Sequence, residues 1–137
     1  MKKITKTLVA ILLIAVLSMT SITAFASDDS VSPRLSHMSH GDFAFSATAN
    51  GGYAEVTYDG YNSFVRADLT VKVEKRLLFV FWTEVDTWTA SSTDIEGYFF
   101  HTFNLNGSGT YRASFTLKIT GNDGTVDTVT SEIESKY

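Results

Sequence analysis

The sequence predicts an all-β fold: an antiparallel sandwich of about seven strands, preceded by a helical signal peptide. Three observations carry this. Beyond residue 41 the chain consists of short runs rich in β-branched and aromatic residues. Gly, Asn and Asp interrupt those runs at roughly the 8–12-residue spacing of a sandwich, and no stretch keeps a helical period. A small barrel is the competing architecture for the same pattern.

The first 26 residues read as a secretory leader. Lys2, Lys3 and Lys6 supply its positive start, residues 8–19 (LVAILLIAVLSM) its apolar centre, and Ala24-Phe25-Ala26 an A-x-A signal recognised through Ala24 and Ala26. The twelve-residue apolar centre is too short for a membrane span, which needs about 20 residues. Cleavage after Ala26 is therefore expected, with the product secreted. It leaves 111 of 137 residues and removes three of 11 basic side chains, so 8 bases stand against 15 acids, a formal charge of −7.

One domain of that size can bury a core without metals or disulfides. Its acidity, with no Lys/Arg cluster in sequence, argues against nucleic acid and anionic lipid as partners. Cysteine is absent, which excludes disulfides and a lipidated anchor. The polar ending SEIESKY offers no apolar tail, so no stable membrane anchor is expected after cleavage.

Residues 27–41 are polar, contain the single proline, Pro33, and read as a flexible lead, which places the domain at 42–137. Phe43, Phe45 and Ala47 alternate with polar or small neighbours up to Asn50-Gly51-Gly52. Ala54, Val56 and Tyr58 then share one face of a second strand, forming a hairpin with the first. In the third strand, Val65, Ala67, Leu69, Val71 and Val73 alternate with five polar residues, the mark of a half-buried antiparallel strand.

Residues 77–82 (LLFVFW) are apolar at every position and read as a strand, either covered on both faces or presenting apolar groups outward. Lys75, Arg76 and Glu84 flank it as charges that discourage edge pairing. The strand continues to Trp88, a loop follows at 90–94, and residues 98–105 (YFFHTFNL) form an aromatic strand. Tyr111 to Ile119 alternates cleanly, Gly121-Asn122-Asp123-Gly124 makes a tight turn, and residues 125–133 return as the last strand.

Gly109-Thr110-Tyr111 opens the penultimate strand where immunoglobulin-like sandwiches place a tyrosine whose hydroxyl bonds back to the backbone, which makes that the preferred sandwich type. Together with the leader, the Trp82-x-x-Val85-x-x-Trp88 segment, Gly109-Thr110-Tyr111-Arg112 and the hairpin around Gly121-Asn122-Asp123-Gly124, the chain resembles small secreted immunoglobulin-like β-sandwich proteins of Gram-positive bacteria. The resemblance covers most of the mature chain and implies fold and export. It brings no catalytic residue with it.

Candidate chemistry is sparse. His37-x-x-His40 with Asp42 has zinc-ligand types, but the lead fixes no geometry and a structural site wants four ligands. His101 stands alone in a strand. Gly107-Ser108-Gly109 lacks the context of a nucleophile turn. Glu84/Asp86 and Glu132/Glu134 sit at alternate positions of one strand face, about 7 Å apart at Cα, where a solvated face explains them as well as glycosidase chemistry does. Asn122-Asp123 and Asp28-Asp29 lack calcium-loop spacing. No cofactor, metal or catalytic residue is assigned.

The aromatic residues are the stronger signal. Tyr58, Tyr61, Phe99 and Phe100 accompany Trp82, Trp88 and Tyr98, and the last three are the candidate binding surface, because large rigid rings with a polar handle anchor sugars and proteins. A non-enzymatic secreted domain that binds a protein or cell-envelope glycan is thus expected. A wall-polysaccharide hydrolase and a protein self-associating through an LLFVFW edge are the alternatives.

Overall fold

A computed structural model describes residues 35–137; the leader with Ala24 and Ala26, and residues 27–34, lie outside them. Seven strands follow in order: β1 (Met38–Thr48), β2 (Gly51–Gly60), β3 (Phe64–Leu77), β4 (Phe81–Ser92), β5 (Glu96–Phe103), β6 (Thr110–Gly121) and β7 (Val126–Lys136). There is no helix among the described residues. The strands form two antiparallel sheets, β1-β2-β5 and β4-β3-β6-β7. Each sheet ends in unpaired outer strands, so the chain is a sandwich and not a closed barrel.

The alternation read from the sequence is what builds the core. Ala67, Leu69, Val71 and Val73 of β3 lie beside Ile119, Leu117, Phe115 and Ala113 of β6, all fully buried. From the smaller sheet Phe45, Ala54, Val56, Tyr58, Phe99 and Phe103 close over them, with Phe43 and Phe115 rings 5.4 Å apart. Because side chains in a strand alternate faces, a one-residue slip of β3 or β6 would expose this whole set, so the register is strongly fixed.

At the corner before β6, the Tyr111 hydroxyl donates to the carbonyls of Asn106 (2.9 Å) and Gly107 (2.7 Å), as expected of that tyrosine. The Tyr137 ring stacks on Tyr111 at 5.8 Å. Gly97 is required by close approach, since a Cβ there would lie 2.1 Å from the Tyr58 ring that covers it.

Three expectations are corrected. The domain begins before residue 42, because β1 starts at Met38 and both His37 and Met38 are buried. Ser36 and His37 donate backbone N–H groups to the Asp127 carboxylate, a contact some 90 residues away in sequence, at 2.7 and 2.6 Å. Residues 77–82 are not a strand: β3 ends at Leu77, residues 78–80 reverse the chain, and β4 begins at Phe81. The LLFVFW run therefore offers no continuous edge for pairing with a second copy. Residues 90–92, read as loop, complete β4 and pair with β3.

Candidate functional site

A β-bulge decides where the candidate tryptophans go. Val73 lies opposite Asp86 and Glu74 opposite Glu84, so Val85 is an extra residue in β4 and the parity of the strand changes there. Trp82 and Trp88, six positions apart, would share a face in a regular strand. Instead Trp82 pairs with outward Arg76, whereas Trp88 pairs with buried Val71. The same bulge separates Glu84 from Asp86, which therefore do not share a face as expected.

Trp88 closes the gap between β4 and β5, stacked on His101 at 4.7 Å and edge-on to Phe99 at 6.4 Å. Trp82 lies on the outer face of the larger sheet between two guanidinium groups, Arg76 at 4.7 Å and Arg112 at 4.3 Å. Those arginines belong to an ion-pair ladder: Arg112 reaches Glu74 at 2.6 Å, Lys72 reaches Glu74 at 2.9 Å, and Arg76 reaches Glu134 at 3.0 Å. The Arg112 bond, followed by that from Lys72, holds the buried Glu74 carboxyl below the ordinary carboxylate range. Both tryptophans are half-buried and occupied by neighbours.

Tyr98 has a different setting. Thr57 faces it in the register of β2 and β5, and Glu55 faces Phe100, so both rings point away from the core. Tyr98 is 59% exposed and Phe100 49%, and Tyr53 at 38% completes the set. Tyr53 and Phe100 centroids are 5.9 Å apart and Phe100 and Tyr98 6.4 Å apart, with planes within 26°. Three near-parallel rings thus form a strip across the outer face of the smaller sheet. Beside it runs a shallow groove lined by Thr48, Asn50, Thr102 and Asn104. Sequence reasoning found Tyr98 but not Tyr53, whose outward position follows from its register opposite Thr102.

The apolar run forms a second exposed feature. Val80 N–H donates to the Leu77 carbonyl at 3.3 Å, and the two central residues, Leu78 and Phe79, have φ of 49° and 68°. Positive φ at both positions is the primed-turn geometry normally given to Asn and Gly. For residues with a Cβ it costs about 1–2 kcal/mol each. The side chains gain nothing in return from this chain: Leu78 is 80% exposed, Phe79 94%, Val80 72% and Phe81 64%.

The histidines do not converge on a metal site. His37 is buried, with Nδ1 2.8 Å from Ser63 Oγ and Nε2 2.6 Å from Thr125 Oγ1, while Asp123 lies 3.4 Å away. Gly121 lies against that ring, where a Cβ would come within 2.2 Å. His40 instead pairs with Asp42 at 2.8 Å on the surface. Glu132 and Glu134 point to Arg112 and Arg76 respectively. No group of three metal-ligating side chains forms among the described residues.

No family model matches the chain, and no curated protein matches it. Among solved structures it is similar to the PmoD soluble domain from Methylocystis sp. ATCC 49242 (Rockwell), at 12% identity and a TM-score of 0.40, covering 74% of this chain and 98% of that one. The likeness is weak.

Proposed function

We propose that this chain is an exported, non-enzymatic, immunoglobulin-like binding domain that holds a cell-envelope glycan against the strip of Tyr53, Phe100 and Tyr98. The observation that carries the reading is the strip itself: three rings in near-parallel array, left in water on a flat sheet face. Pyranose rings present an apolar face to such a surface, and the groove beside the strip offers hydroxyl and amide groups for the sugar hydroxyls. The leader supports export, and the tyrosine corner before β6 supports the sandwich type. β4 pairs with β3 rather than β5, so the sheets hold three and four strands where antibody constant domains have four and three. Trp82 and Trp88 serve the fold and not the contact.

Sedimentation with purified peptidoglycan tests the reading, using protein recovered from the medium after expression of the full chain. Wild type pellets with the polymer. Tyr98→Ala with Phe100→Ala stays soluble while keeping its melting temperature within a few degrees, because both side chains are surface groups. Equal pelleting of the two proteins would remove the strip from the binding surface.

A further inference from the structure

The turn at 77–81 lies at one pole of the sandwich, and the poles differ in charge. The pole where β2 joins β3, β4 joins β5 and β6 joins β7 carries Asp59, Asp94, Glu96, Asp123 and Asp127. At the other pole the connecting residues 49–50, 78–80 and 104–109 contain no acid, and Lys75, Arg76 and Lys136 stand at the strand ends beside them. The net charge conceals this polarity, because the sequence scatters those cations over β3 and β7.

Apolar and cationic groups at this pole are ordered by height. Phe79 is the outermost, flanked by Leu78, Val80 and Phe81. Behind them Arg76, Gly109, Thr110 and Lys136 line a notch against Leu78 and Phe79. Arg76 is two residues below the turn, about 7 Å along the strand. Lys75 donates to the Asn106 carbonyl, and neither it nor Lys136 makes an ion pair among the described residues. Trp82 sits at the level of Arg76, its cross-strand partner, with the guanidinium over its ring.

We propose that this pole is a lipid-contact site, with Leu78, Phe79, Val80 and Phe81 seated at the acyl–headgroup boundary of an anionic membrane, Lys136 receiving a lipid phosphate, and Arg76 joining it by exchanging its Glu134 partner for another. Three features converge on that occupant. An apolar knob of four exposed side chains, with Phe79 almost wholly in solvent, suits a fluid surface. The interval from tip to cations matches the roughly 5–10 Å depth of interfacial insertion. The connecting residues at this pole hold no acid, Glu134 being engaged by Arg76, so its basic residues complement an anionic leaflet while the acidic pole is turned away from it. The turn backbone stays in the polar interface, where the unpaired N–H groups of Leu78 and Phe79 find water or headgroup oxygens. The attachment is peripheral and reversible, and independent of the aromatic strip.

The test uses protein recovered from the medium and vesicles of phosphatidylcholine, with or without an equimolar share of phosphatidylglycerol. Wild type pellets with the mixed vesicles, less with phosphatidylcholine alone, and less as salt is raised. Inorganic phosphate at the concentration of lipid headgroups does not release it, which separates a bilayer from a free phosphate. Leu78→Asn with Phe79→Gly, which supplies the residues this turn geometry prefers and so preserves the fold, lowers vesicle affinity at least tenfold. Tyr98→Ala with Phe100→Ala leaves it unchanged. Failure of wild type to pellet with either vesicle would overturn the proposal, as would undiminished binding by the turn variant. A dimer that dissociates on the turn substitution would assign the knob to a second copy and equally overturn it.

Discussion

The two hairpins of the larger sheet solve one problem in opposite ways. Each joins a central strand to an outer one, β6 to β7 and β3 to β4. The first turns through Gly121-Asn122-Asp123-Gly124, where Gly124 takes the positive φ of 80° and Gly121 N–H donates to the Thr125 carbonyl at 2.9 Å. Asp123 accepts from the Thr125 backbone N–H and hydroxyl, which lower its pKa, and His37, just ahead of β1, is bonded to Thr125. The second places Leu and Phe at positive φ and leaves both side chains in water. Local propensity agrees with the fold in one turn and opposes it in the other. Such opposition, uncompensated within the chain, is the ground for the lipid contact proposed for this turn.

The largest effect expected from breaking this contrast is at the well-made turn. Gly121→Val drives a side chain into the His37 ring and expels it from its bonds to Ser63 and Thr125. A loss of about 3 kcal/mol is expected, read as a lower urea midpoint. A stability unchanged within error would show that His37 does not pin the entry of β1.

A smaller effect lies at the base of the strained hairpin, where Glu74 is held by Arg112 and Lys72. Its folded pKa is depressed, so its contribution is present above the ordinary value of 4.5 and disappears as pH falls through the lower folded value. Glu74→Gln should therefore lower the urea midpoint at neutral pH and flatten its decline below about pH 4.5. A parallel decline in both proteins would count against the ladder. Smallest is Lys136→Glu, an exposed change expected to alter stability by less than about 0.5 kcal/mol. Its effect should appear instead as weaker pelleting with anionic vesicles, while phosphatidylcholine vesicles are bound as before.

The same contrast explains what was legible in the sequence. β3 and β6 could be read outright because one face of each is buried and the other is not, so Leu69 or Phe115 declares its face by position alone. The turn at 121–124 was legible through its glycines. The turn at 78–80 was not, because an apolar run without Gly, Asn or Pro carries the pattern of a buried strand and only the pairing of Leu77 with Phe81 reveals the reversal. Met38 and His37 looked like a polar lead because their burial depends on Asp127, Thr125 and Ser63, all distant in sequence. Trp82 and Trp88 were grouped on one surface because nothing local announces the bulge at Val85. Tyr98 is exposed, and the register of β2 and β5 places Tyr53 and Phe100 beside it.

Thermal unfolding of Leu78→Asn with Phe79→Gly tests the central claim most directly, that the β3–β4 turn is held in an unfavourable backbone conformation for the sake of its exposed side chains. Relief of strain at two residues, about 1–2 kcal/mol each and partly offset by the greater freedom of glycine in the unfolded chain, should raise the melting temperature by roughly 5–10 °C. An unchanged or lower melting temperature would contradict it, since Leu78 and Phe79 would then be contributing to the fold itself.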